Sequence, residues 1–110
     1  RDGSSIIKGC RILSSKKNIS TIGMNCFSPL LAKEALKKLK ENSNKKILIY
    51  PNSGEIYNNE DKDWYGKKFF DNSMVKKWLE LSPDIIGGCC RVGSEDIKNM
   101  RKEINFFQQL

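Results

Sequence analysis

Two adjacent thiols, Cys89 and Cys90, close the run Ile86-Gly87-Gly88-Cys89-Cys90-Arg91, and a third, Cys26, follows Gly23-Met24-Asn25. In both places a short apolar, glycine-bearing segment gives way to polar sequence at the cysteine, as where a buried strand leaves a sheet. Thiolates are soft, strongly donating ligands. Three of them converging at strand ends would make a tetrahedral zinc site with one position left for an exchangeable ligand. Such a site suits chemistry on sulfur. Paired cysteines are also compatible with ordinary buried packing, and adjacency alone leaves both readings open.

The elements that must position these residues are legible as alternating strands and helices. Ile19 to Met24 reads as a short buried strand, and Ser28-Pro29 supplies an N-cap and first-turn proline for a helix reaching Glu41. Leu31, Ala32, Ala35, Leu36 and Leu39 form its apolar stripe, and Asn42-Ser43-Asn44 ends it. Lys46 to Tyr50 is the next strand, followed by a long polar connection through Trp64-Tyr65-Gly66. Asp71 or Asn72 caps a helix whose apolar side is Met74, Val75, Trp78, Leu79 and Leu81, and Ser82-Pro83 stops it. Asp84 to Gly88 reads as a third strand, and Gly93-Ser94 opens a last helix with Ile97, Met100, Ile104 and Phe107 at helical spacing. Ser4 to Leu13 reads as a further helix with Ile6, Ile7, Cys10 and Leu13 inward, which makes Cys10 a packed hydrophobe rather than a ligand.

Strand, helix, strand, helix, strand, helix implies right-handed crossovers and a parallel sheet in an α/β fold. Three strands do not close a barrel, and a cut barrel would expose one sheet face and two unpaired edges. The expected architecture is the C-terminal three β/α units of a TIM (β/α)8 barrel, with residues 1–110 forming a partial domain that lacks the N-terminal strands. The start at Arg1 rather than Met fits a fragment or a processed chain.

Composition narrows the function classes. The 20 lysine and arginine residues against 13 acidic ones give a formal charge of +7, but the lysine pairs are dispersed over turns and polar helix faces. A solvated surface is expected, with no specific nucleic-acid partner. The four cysteines are too unevenly placed for a disulfide framework, so a reducing, cytoplasmic setting is expected. No apolar stretch approaches membrane-spanning length, and the first residues do not read as a signal peptide.

Taken together, Gly23-Met24-Asn25-Cys26-Phe27-Ser28-Pro29, Tyr50-Pro51-Asn52-Ser53-Gly54-Glu55-Ile56-Tyr57 and Ile86-Gly87-Gly88-Cys89-Cys90-Arg91 resemble the C-terminal part of the homocysteine S-methyltransferase family. The resemblance covers nearly the whole chain. The middle motif is most similar to the branch that uses S-methylmethionine or S-adenosylmethionine as methyl donor, which includes selenocysteine methyltransferases. The resemblance implies a TIM barrel with Zn2+ at the C-terminal ends of its strands, held by Cys26, Cys89 and Cys90. It also implies homocysteine as acceptor, methionine as product, and the missing N-terminal part of the same barrel as a structural partner. A chain serving only as an inactive structural segment is the alternative.

A substrate sulfur at such a zinc would lose its proton and attack the methyl group of a sulfonium donor, and the neutral thioether leaving group needs no general acid. The Asn52-Ser53-Gly54-Glu55 loop follows a predicted barrel strand, so Asn52, Ser53 or Glu55 could recognise the amino-acid portion of a substrate or only stabilise the loop. Asn25 either orients a sulfur-bearing ligand or makes a local turn. Tyr57 and Trp64 either cover the pocket or pack in an exposed loop, and Arg91 binds a carboxylate, forms a helix-facing ion pair or contacts solvent.

Overall fold

Ile47, Leu48 and Ile49 form the middle of the central strand. The computed structural model describes residues 5–109. Its elements are α1 (Ile6–Ser14), β1 (Thr21–Asn25), a 3-10 turn (Pro29–Leu31), α2 (Ala32–Asn42) and β2 (Lys46–Tyr50). These are followed by β3 (Ile56–Asn58), β4 (Asp63–Tyr65), α3 (Asn72–Leu79), β5 (Ile85–Ile86) and α4 (Ser94–Gln108). The main sheet runs β1-β2-β5 with both pairings parallel, while β3 and β4 form a separate antiparallel hairpin.

Alternation along the strands separates two faces. Ile22, Ile47 and Ile49 are buried against Leu36 and Leu39 of α2, Val75 and Trp78 of α3, and Met100 of α4. Each such side chain contributes about 1.5–3 kcal/mol by leaving water. The other face carries Gly23, Leu48, Tyr50 and Ile85, and Ile85 remains 49% exposed because no layer lies over it. Extents of 43 × 39 × 21 Å describe a slab whose short axis is one sheet plus one layer of helices. The radius of gyration is 14.7 Å, against about 13 Å for a compact domain of this length.

Local chemistry sets the element ends. The Ser5 hydroxyl accepts from Lys8 N to cap α1, Ser28 accepts from Leu30 N before the 3-10 turn, and the Asp71 carboxylate accepts from Met74 N at α3. Asp96 accepts from Gly93 N at the start of α4. The first predicted helix is present from Ile6, while its predicted start at Ser4 lies outside the described residues. Its inward face is also narrower than predicted: Cys10 is buried, its thiol 3.7 Å from the Leu39 carbonyl, whereas Ile6, Ile7 and Leu13 stay exposed. Leu31 and Ile97 are likewise exposed, because their faces have no neighbouring layer in this chain. The third strand keeps only Ile85 and Ile86, although Asp84 N and Gly87 N still donate to Ile47 O and Ile49 O of β2. No helix among the described residues is long and apolar enough to cross a membrane.

Candidate metal centre

The loops leaving β1, β2 and β5 are joined by backbone hydrogen bonds beyond the strands themselves. Cys26 N donates to Tyr50 O at 3.1 Å, Asn52 N to Phe27 O at 2.8 Å, Cys89 N to Pro51 O at 2.8 Å, and Ser53 N to Cys90 O at 3.1 Å. The loop after β2 therefore lies between the two thiol-bearing loops and fixes their separation. Gly23 lets β1 approach closely, since a Cβ there would stand 2.2 Å from Leu48 O. Gly88 permits the turn into Cys89, because a Cβ would meet Val92 Cγ1 at the same distance, 2.2 Å.

The outcome is convergence of three sulfurs. Cys26 Sγ lies 3.5 Å from Cys90 Sγ, Cys89 Sγ lies 4.0 Å from Cys90 Sγ, and all three fall within 4.8 Å of one another. Sulfurs sharing a tetrahedral zinc at about 2.3 Å sit roughly 3.8 Å apart, so this donor set fits that ion with small adjustments. Cys26 and Cys90 are exposed and Cys89 is half-buried, leaving one side of the cluster open. Cys10, 4% exposed in the core, is not part of it.

The thiols do not titrate alike. Hydrogen bonding from Cys89 does most to hold the Cys26 thiol below its ordinary value; burial opposes it, and lesser bonds from Cys90 and Asn52 add to the lowering. Cys90 is pushed up to about 11, first by its contact with Cys26 and then by burial and Cys89. One negative charge in the cluster thus opposes a second, and a cation bound among the sulfurs would remove that opposition.

Of the polar residues predicted from sequence, Asn52 and Glu55 reach a cavity of about 470 Å³ beside the cluster, lined also by Cys26, Cys90, Tyr57 and Trp64. Asn25 is exposed at the end of β1 and is not among those lining residues. Ser53 is fully buried, and its hydroxyl donates to Glu55 Oε2 at 2.7 Å. That hydroxyl, followed by the Arg91 guanidinium, holds the Glu55 carboxyl below the usual carboxylate range. Arg91 Nε donates to Glu55 Oε2 at 3.2 Å, an ion pair with the loop after β2 rather than with a helix. The hairpin that presents Tyr57 and Trp64 was absent from the sequence reading. Its signal is the pair of aromatic-containing segments, Ile56-Tyr57 and Trp64-Tyr65, on either side of an Asn- and Asp-rich turn.

Fold and site together define a class: parallel α/β proteins whose reactive side chains gather where strands run out into loops. Residues 1–104 match the family described as Homocysteine S-methyltransferase, and the chain belongs to that family. Homocysteine S-methyltransferase 3 of Arabidopsis thaliana is 33% identical over 107 residues, covering 94% of this chain and 31% of that protein. Homocysteine S-methyltransferase YbgG of Bacillus subtilis (strain 168) is 34% identical over 90 residues, 80% of this chain and 29% of the relative. Selenocysteine Se-methyltransferase of Brassica oleracea var. italica is 31% identical over 106 residues, 93% of this chain and 31% of its own length. The chain thus spans about a third of the length of the curated relatives it matches. In fold it is similar to the metallated form of the homocysteine methyltransferase MmuM from Escherichia coli, with a TM-score of 0.70 and 23% identity. That likeness covers 92% of this chain and 30% of the MmuM chain.

Proposed function

We propose that this chain is the C-terminal three β/α units of a (β/α)8 barrel enzyme that transfers a methyl group from a sulfonium donor to homocysteine, forming methionine. The donor in this reading is S-methylmethionine or S-adenosylmethionine, and the setting is the reducing cytoplasm, in keeping with four free cysteines. The observation that carries it is the convergence of Cys26, Cys89 and Cys90 sulfurs within 4.8 Å at the strand ends of a chain of this family.

In this reading the three cysteines hold Zn2+, which when bound supplies a cation that favours loss of the acceptor thiol's proton at neutral pH. The chain's own residues do the rest. The backbone bonds between loops hold the three sulfurs as a preformed set, so little ordering is left to metal binding. Asn52 and Glu55 face the cavity and are assigned to the amino-acid portion of the acceptor, and Asn25, next to Cys26, is assigned to the same substrate. Ser53 acts through Glu55, whose carboxylate it orients. The exposed side of the cluster is where an incoming thiol has access, and alignment of its sulfur with the methyl carbon of the donor supplies much of the rate.

Two observations favour narrower alternatives. The 31% identity to a selenocysteine methyltransferase supports selenocysteine as acceptor. The uncovered sheet face supports a purely structural role for the 110-residue chain taken alone. Zinc content and methionine formation in the full-length protein test the main reading. Both depend on each of the three cysteines, and product formation also depends on homocysteine. Zinc binding that survives the loss of all three would reject the ligand set.

A further inference from the structure

The cavity beside the sulfur cluster is walled by two thiols, an amide, a carboxylate and two aromatic rings. The chain has 20 lysine and arginine residues and a formal charge of +7, yet none of these cations lines the cavity formed by Cys26, Asn52, Glu55, Tyr57, Trp64 and Cys90. Arg91, next to Cys90 in sequence, is turned to Glu55 instead. The walls offer one carboxylate and two aromatic rings. Tyr57 and Trp64 are register partners across the β3–β4 hairpin, with ring centroids 5.3 Å apart and planes inclined at 52°. Their neighbours Ile56 and Tyr65, also register partners, alternate to the other face of the hairpin, and Ile56 is 72% exposed there. The strand alternation therefore sends two aromatic rings, and no cation, to the reacting side.

From this geometry we infer that Tyr57 and Trp64 form the subsite for the sulfonium centre of the methyl donor and select a charged donor over its neutral counterpart. The inference rests on the methyl-transfer reading above. A trialkyl sulfonium carries its charge on sulfur and the attached carbons and has no N–H or O–H at that centre, so conventional hydrogen bonding cannot recognise it. Aromatic faces can. In the transfer, a lone pair on the acceptor thiolate forms the new S–CH3 bond. The old S–CH3 pair stays on the donor sulfur, which becomes a neutral thioether, and the acceptor's proton has already passed to solvent. The ring faces lose their cation at that moment, so the demethylated donor is held less tightly than the donor and is free to leave.

Titration calorimetry on the full-length zinc-loaded protein tests this, with S-methylmethionine and S-adenosylmethionine as probes and methionine as the neutral control. Trp64→Leu and Tyr57→Leu each weaken binding of the sulfonium by about 2- to 30-fold, and Trp64→Phe retains most of it. Methionine and homocysteine affinities and zinc stoichiometry stay within error of the wild type. Unchanged sulfonium affinity in both Leu variants overturns the inference, as does an equal loss for methionine. Wild-type protein that takes up zinc and homocysteine but neither sulfonium overturns the subsite alone. Protein that takes up neither zinc nor homocysteine removes the underlying reading as well.

Discussion

Cys26 and Arg91 both hold left-handed backbone, with φ of 52° and 65°, although neither is glycine. Each such residue costs about 1–2 kcal/mol, a strain that persists only where surrounding bonds impose it. Here the loop bonds of Cys26 N to Tyr50 O and Ser53 N to Cys90 O impose it, and the result is a set of sulfurs pointed at one another. Replacing Cys26, Cys89 or Cys90 singly with Ser is therefore expected to lower bound zinc from about one per chain toward none. Methionine formation is lost in parallel, as metal analysis and product assay would show. Cys10→Ala separates packing from ligation: it leaves zinc intact and lowers unfolding free energy by about 1–2 kcal/mol, measured by denaturant titration. The residue types of the cluster were readable because cysteine at a strand end has few roles. The left-handed turns were not, since neither position is a glycine that would announce them. The Ser53–Glu55–Arg91 chain was hidden for another reason: it joins residues from two loops that only the parallel register brings together.

At the level of elements, the sheet is as exact as its closest approach. A methyl group at position 23 would press on Leu48 O, so Gly23→Ala is expected to push β1 from β2 at a cost of about 1–3 kcal/mol. Because Cys26 follows β1, zinc affinity falls with it, which competition with a chelator would measure. The cap of α3 gives a pH-dependent test. Hydrogen bonds from the Ser73 hydroxyl and then from Met74 N hold the Asp71 carboxyl below its ordinary value. A depressed carboxyl stabilises the fold above the unfolded value of about 3.9 and loses that contribution as pH falls through its folded value. Asp71→Ala should therefore cost about 1 kcal/mol at pH 7 and progressively less below pH 4, by denaturant titration across that range. β2 was predicted to the residue because Ile47-Leu48-Ile49 is apolar and sharply bounded by lysines and Pro51. The β3–β4 hairpin was missed because its strands are three residues each, too short for periodicity to register. The predicted Asp84–Gly88 strand shrank to two residues because it pairs on one side only.

At the level of the whole molecule, the chain is one layer of helices on one sheet, with Ile85 exposed on the open face and β1 and β5 each paired on one side only. Strand edges and apolar sheet faces left without partners favour association. The 110-residue chain alone is therefore expected to associate or to exchange its amide hydrogens rapidly in β1 and β5, and under the partial-barrel proposal a longer chain carrying the remaining barrel strands restores protection. A cooperative, fully protected monomer would speak against the partial-barrel account. The sequence conveyed the order of strands and helices because each helix carries its own apolar stripe. It could not convey which apolar residues stay uncovered, since Ile6, Leu31 and Ile97 look like core residues until the layer they face is counted.

The most direct measurement is X-ray absorption at the zinc edge of the full-length protein, before and after adding homocysteine. The account predicts three sulfur neighbours at about 2.3 Å in the resting protein and a fourth sulfur once homocysteine is present. Fewer than three protein sulfurs, or a coordination shell that homocysteine leaves unchanged, would contradict it.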